Sequence, residues 1–116
     1  MTAVDGIRAY GDAWLEPDPA RRLALLEQAW AEDAVYCDPL DVVQGREALS
    51  AHIAAFQQSM AGGRVELYGD TARHHDSAHF RWRIVDAAGT TVLTGFDVVQ
   101  LDEADRITRL TGFFDA

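Results

Sequence analysis

Lysine is missing from this chain. All ten basic side chains are arginines, set against nineteen Asp and Glu residues, which leaves a formal net charge of −9. That balance opposes binding to phosphate backbones or anionic lipid surfaces, and no basic stretch offsets it, so neither nucleic acid nor a membrane is an expected partner. An arginine-only set of cations hints at a GC-rich genome and says nothing about chemistry. Cysteine is almost missing as well: Cys37 stands alone, so no disulfide can form within the chain and a reducing, cytoplasmic location is expected. The first residues, Met1-Thr2-Ala3-Val4-Asp5-Gly6, carry neither the basic segment nor the apolar run of a signal peptide, and no stretch is apolar enough to span a membrane. Nor is there a Gly-rich phosphate loop, a Cys or His cluster with metal spacing, or a serine or cysteine nucleophile constellation. Any catalysis is therefore expected to need no metal or other cofactor.

What the chain does have is clear patterning over 116 residues, a length that suits one compact domain. Val4, Ile7, Tyr10, Gly11 and Trp14 recur at helical spacing and predict an amphipathic helix ending before Pro17. After that proline, Asp18 fits an N-cap and Pro19 a first helical residue, for a second helix marked by Leu23, Leu26, Ala29 and Trp30. Residues 34–38 read as a short strand stopped by Pro39, residues 41–46 as a connecting loop, and residues 47–60 as a third helix with Leu49, Ile53, Phe56 and Met60 inward. Beyond Gly63 the pattern changes to period two, which predicts antiparallel strands at 64–75, 78–85, 91–101 and 106–114. Turns fall at Asp76-Ser77, at Ala87-Ala88-Gly89 and at residues 102–105. Three helices followed by a long sheet make an α+β domain over residues 1–116.

Two aspartates interrupt apolar strand patterns: Asp38 in Ala34-Val35-Tyr36-Cys37-Asp38-Pro39, and Asp97 in Thr94-Gly95-Phe96-Asp97-Val98-Val99. An ionised carboxylate is costly to bury alone, so such a group pairs, binds a ligand, or shifts its pKa until it is neutral. In the strand of Asp97, residues Leu93, Gly95, Asp97, Val99 and Leu101 share one face while Val92, Thr94, Phe96, Val98 and Gln100 share the other. Both faces carry apolar groups. One is expected to cover the helices or a cavity and the other to meet a second subunit, giving a homodimer through the sheet. Structural uses compete with functional ones here: Asp38 as a turn residue bonding nearby amides, Asp97 paired with Arg81, Arg83 or Arg109, and Tyr10 as a core tyrosine. His74, His75 and His79 flank the Asp76-Ser77 turn, which would set His74 opposite His79; without a third ligand they read as solvated strand residues rather than a metal site.

The order helix, helix, strand, helix and four long strands resembles the nuclear transport factor 2-like superfamily over essentially the entire chain. The resemblance is carried by Trp30-Ala31-Glu32-Asp33-Ala34-Val35-Tyr36-Cys37-Asp38-Pro39, by Gly45-Arg46-Glu47-Ala48-Leu49, and by Thr94-Gly95-Phe96-Asp97 leading to Gly112-Phe113-Phe114. It implies three N-terminal helices packed on a strongly curved, mainly antiparallel sheet, a cystatin-like roll that forms a conical pocket. Among the superfamily the chain looks most like ketosteroid isomerase and the SnoaL-like polyketide cyclases. That similarity implies a cofactor-independent isomerase or cyclase acting on a small apolar carbonyl compound. Abstracting a proton beside a carbonyl takes a base near the carbon and a donor near the oxygen. By resemblance, Asp38, directly before proline at the end of the first strand, is the base; Tyr10 in the first helix and a protonated Asp97 are the donors. Trp14, Trp30, Tyr36, His52, Phe56, Trp82, Leu110 and Phe113 are the expected substrate contacts, with core packing as their alternative use. Two further readings stay open. A hydrolase like limonene epoxide hydrolase needs an arginine facing inward beside Asp38 and Asp97, and a non-catalytic dimeric binding domain would tie both aspartates into ion pairs and fill the cavity with tryptophan.

Overall fold

A computed structural model describes residues 3–115, with side chains from Asp5 onward; the side chain of Val4 lies outside the described residues. Helix α1 runs Ala3–Leu15 and α2 Pro19–Ala29, then come strand β1 (Trp30–Cys37), strand β2 (Val42–Gln44) and helix α3 (Arg46–Ser59). Strands β3 (Arg64–His74), β4 (Ser77–Val85), β5 (Thr91–Leu101) and β6 (Ile107–Phe114) complete the chain. The six strands form one sheet in the order β2-β1-β6-β5-β4-β3, antiparallel throughout except where β1 lies parallel to β6. This is the expected α+β roll of three helices on a mainly antiparallel curved sheet.

Local chemistry explains the helical part. Asp18 caps α2 by accepting the Arg21 amide at 2.9 Å, and Pro19 opens the helix without wasting a donor. Sequence patterning misses how the helices are tied together. Arg22, on the same helix face as Leu26 and Ala29, is buried, and its guanidinium donates to the carbonyls of Glu16, Pro17 and Ser50, to Ser50 Oγ and to Gln57 Oε1. Two of those oxygens belong to the segment just past α1, where unsatisfied carbonyls gather the negative end of the helix dipole and favour a cation. Gln57 then donates back to the carbonyls of Trp14 and Glu16, so α3 grips the end of α1 and fixes where Trp14 stands.

Four expectations change in detail. The first strand starts at Trp30 rather than at residue 34, because Trp30, the C-cap of α2, is extended (φ −124°, ψ 121°) and pairs with Ile107 before the register slips. Its apolar spacing from Leu26 fits a helix stripe equally well, which hid the boundary. The loop at 41–46 contains β2, a three-residue edge strand too short and too exposed to alternate visibly. Helix α3 begins and ends one residue earlier than expected. At the β3–β4 hairpin the turn is His75-Asp76, since His75 takes a left-handed φ of 54°; His74 consequently pairs with Ser77 and His79 with Ala72. His74 and His75 touch through their Nδ1 atoms at 3.2 Å, and no group of three metal-ligating side chains occurs among the described residues.

The two faces of β5 divide as the period-two reading predicts. Gly95, Asp97, Val99 and Leu101 are buried against the helices, while Val92 and Thr94 point outward. On the outer face Phe96 stacks on Phe113 with centroids 5.0 Å apart, and the Arg81 guanidinium lies over Phe96. No helix among the described residues is long and apolar enough to cross a membrane.

Candidate active site

Between the helices and the concave face of the sheet lies a cavity of about 570 Å3. Tyr10 and Trp14 enter it from α1, Tyr36 and Asp38 from β1 and its end, His52 and Phe56 from α3, and Trp82 and Asp97 from β4 and β5. Exposed Leu40, Asp41, Ala55 and Ser59 mark its mouth, and buried Tyr10, Trp82 and Asp97 mark its inner end. The volume falls within the range of sites that enclose small organic ligands, and the lining is mostly apolar and aromatic. A second groove between α1 and β3 is comparable in size, about 670 Å3, but is bordered by Arg8, Asp12, Glu66 and Asp70; the buried carboxyl faces the first.

Asp97 is 6% exposed. Among the described residues its hydrogen-bond partner is the Trp82 indole, whose Nε1 donates to Oδ1 at 3.0 Å. Burial penalises the charged form and pushes the carboxyl up to about 7; the Trp82 bond pulls the other way, and the charge of Asp38 adds to the rise. Its proton is therefore gained and lost near neutral pH, where a group can serve as acid and base alike.

Asp38 is placed differently. Its Oδ1 accepts the backbone amides of Leu40 and Asp41, both at 2.8 Å, and its Oδ2 accepts the Tyr36 hydroxyl at 2.6 Å. The carboxylate thus organises the Pro39–Asp41 turn, the use open to any aspartate before proline. Both oxygens are engaged, so a proton taken from a substrate must displace or share one of these bonds. Tyr36 is held in its neutral form, pushed upward by burial and by donating to Asp38.

Tyr10 lies against the cavity and in the core at once. Its ring stacks on Trp30 at 5.7 Å and meets Trp14 edge-on at 6.5 Å. Burial and then the Asp97 charge push the pKa of its hydroxyl well up, so it remains a proton donor. His52 completes that wall, 5.1 Å from Tyr36 and perpendicular to Trp14 at 5.9 Å.

Of the expected substrate contacts, Trp14, Tyr36, His52, Phe56 and Trp82 line the cavity; Trp30, Leu110 and Phe113 do not. Trp30 and Leu110 are wholly buried in the core between helices and sheet. Phe113 stands on the outer face, 45% exposed, and its neighbour Phe114 lines the cavity instead. Strand parity was the available signal: Leu110, Gly112 and Phe114 share a face in β6, so Leu110 and Phe113 cannot both point inward. Leu40, Asp41, Ala55, Ser59, Val65, Leu67, Ile84 and Leu93 also line the cavity and were not singled out. Val65, Leu67, Ile84 and Leu93 carry no chemical mark that separates cavity from core.

None of the three candidate arginines is in the lining. Arg81 pairs with Asp115 at 2.6 Å, Arg83 with Glu66 at 2.6 Å, and Arg109 is exposed. Asp97 therefore has no guanidinium partner, in contrast to the ion-paired alternative.

Fold and site together define a class: a cystatin-like roll enclosing an apolar cavity with a buried carboxyl at its inner end. The chain matches the SnoaL-like domain over residues 7–110 and belongs to that family, within the nuclear transport factor 2-like superfamily. A SnoaL-like family protein from Agrobacterium tumefaciens, provisionally assigned as an isomerase, is 38% identical over 100% of both chains with a TM-score of 0.90. A protein of unknown function with a cystatin-like fold from Methylobium petroleophilum is similar at 17% identity and a TM-score of 0.81, covering 98% of this chain and 76% of that one. A protein from Sinorhizobium meliloti, provisionally assigned as a polyketide cyclase, shares the fold at 22% identity and a TM-score of 0.71, with 97% and 99% covered. No curated protein is matched by the chain.

Proposed function

We propose that this protein catalyses cofactor-independent proton transfer on a small apolar carbonyl compound, as an isomerase or a cyclase, with Asp97 carrying the proton. The observation that bears the reading is a single buried carboxyl, poised near 7, at the inner end of an apolar cavity and free of any arginine. An apolar molecule fills such a space by releasing water from aromatic walls. With its α-carbon against Asp97, the ionised carboxylate takes the proton, and the carbonyl oxygen gains charge as an enolate. Tyr10, neutral and buried beside Asp97, supplies the hydrogen bond to that oxygen. Returning the proton to another carbon completes an isomerisation; attack of the enolate on a second carbonyl completes a cyclisation.

This assigns the base to Asp97 in place of Asp38, and the reason is the set of three hydrogen bonds that Asp38 already accepts. Asp38 keeps a supporting role, orienting Tyr36 and the turn at the mouth. The epoxide hydrolase reading loses weight because the lining has no arginine, and the filled-cavity reading because the space is open. We further propose that the outer sheet face, with Val92, Phe96 and Phe113, pairs two copies of the chain, which sedimentation at micromolar concentration would measure.

The direct test is exchange of α-protons of 2-tetralone in D2O, followed by NMR, for wild type, Asp97→Asn and Asp38→Asn. Exchange is common to isomerisation and cyclisation, so it needs no knowledge of the true substrate. Catalysed exchange lost in Asp97→Asn and retained in Asp38→Asn supports the reading. The reverse pattern returns the base to Asp38, and no catalysis by any form moves the protein to ligand binding alone.

A further inference from the structure

Two glycines lie close to Asp97, one on the neighbouring strand β6 and one on its own strand β5, while its partner on β4 is Phe80. Gly112 on β6 pairs directly with Asp97, and a Cβ added there would lie 2.8 Å from Asp97 Oδ1 and 3.5 Å from the Asp38 Cβ. Gly95, two residues before Asp97 on the same face of β5, pairs with Trp82 on β4. A Cβ there would meet the indole ring, at 2.8 Å from Cε2 and closer still to Cζ2, and would also run into the Phe113 carbonyl. The indole lies across the bare backbone of Gly95, braced edge-on by Phe114 at 5.8 Å, and in that position its N–H reaches Asp97.

We infer that Gly95 and Trp82 act together as the positioning device of the cavity carboxyl: the glycine leaves room for the indole to lie flat, and the indole N–H fixes Asp97 and favours its ionised form. This inference rests on the proposed role of Asp97. The donor is the indole N–H, which phenylalanine lacks while keeping an aromatic ring. A hydrogen bond to the charged form of an acid favours that form, and burial makes the bond matter more than it would in water. The other ionisable groups that line the cavity with Asp97 are Tyr10 from α1, Tyr36 and Asp38 from β1 and its end, Asp41 from the turn at the mouth, and His52 from α3. The cavity faces of β3 and β6 offer only Val65, Leu67, Gly112 and Phe114. None of these touches Asp97 as a donor, so Trp82 is the neighbour whose loss is felt as a missing bond.

The experiment is an NMR titration of the Asp97 side-chain carboxyl, labelled with 13C, in the full-length wild type and in Trp82→Phe, with Gly95→Ala as a second form. Loss of one hydrogen bond to a buried carboxylate is expected to raise the midpoint by about one to two pH units. Trp82→Phe should show that rise in a protein that still unfolds cooperatively, though at a lower temperature because of the smaller ring, and Gly95→Ala, where it folds, should show it with the Trp82 indole intact but displaced. An unchanged midpoint in Trp82→Phe overturns the inference, because a merely space-filling tryptophan does not move the titration. The result is independent of turnover. Failure here leaves the role of Asp97 as proton carrier standing, while loss of that role by the exchange assay leaves the titration result intact.

Discussion

Asp38 and Asp97 face one cavity from opposite surroundings. Around Asp38 the chain turns back on itself and supplies two amide donors and a phenol, so the carboxylate is satisfied before any ligand arrives. Around Asp97 the sheet supplies bare glycine backbone from β5 and β6 and one indole N–H from β4, and the remaining neighbours, the charge of Asp38 apart, are apolar or aromatic. The difference teaches that a carboxyl in a cavity earns its chemistry from what is withheld from it. A fully bonded carboxylate holds structure, and a half-bonded buried one keeps its proton up to about neutral pH.

The sharpest way to break this comparison is in catalysis. Asp97→Asn should lower 2-tetralone exchange by about 10²- to 10⁴-fold, the usual contribution of a positioned acid or base, while Asp38→Asn should lower it by no more than about tenfold. With Asp97 as base, wild-type exchange should climb as pH rises through about 7 and level off above it. A fall through the same pH would mean that the protonated form is the one at work, as a donor to the substrate oxygen.

Stability separates the two residues next. Asp97 has a folded pKa raised from 3.8 to about 7, so it favours the folded state fully below pH 3.8 and that contribution is lost as pH rises through 7. The shift corresponds to roughly 4 kcal/mol at most. Urea unfolding should show wild type losing up to that amount relative to Asp97→Asn between pH 4 and 8. Asp38→Ala should instead cost about 2 kcal/mol at pH 7, from the lost amide and phenol bonds, and leave Tyr36 without its acceptor. Equal pH dependence in wild type and Asp97→Asn would remove the distinction. The smallest effect belongs to the mouth. Leu40 is 76% exposed and lines the cavity, so Leu40→Ala should change stability by less than about 0.5 kcal/mol yet weaken binding of an apolar fluorescent probe by about three- to tenfold.

Most of the fold was legible because the helical spacings of α1, α2 and α3 are distinct and everything beyond Gly63 alternates with period two. The Asp18 cap and the two faces of β5 followed from residue chemistry alone. Trp30 was not legible, since its spacing from Leu26 satisfies a helix and its extended backbone is set by pairing with Ile107. At the site, Asp38 and Asp97 stood out as carboxylates in apolar strand patterns and Tyr10 by resemblance, and all three line the cavity. What separates their roles is partners supplied from elsewhere in the chain: the Leu40 and Asp41 amides for one, Trp82 from another strand for the other. Phe113 and Phe114 differ only in parity, and Arg22 looks like a surface charge until the carbonyls past α1 are seen to converge on it.

The one parallel pairing in the sheet sets the order of assembly. Strand β1 cannot join the sheet until β6 exists, for Tyr36 pairs with Leu110 and Cys37 with Thr111, closing a span of most of the chain. Such distant pairing is slow to find, whereas the hairpins from β3 to β6 need only local turns. The sixth strand of this sheet in chain order is therefore the one that brings Asp38 and Asp97 to opposite sides of Gly112, and a chain stopped before it, however much helix and hairpin it has formed, has no site.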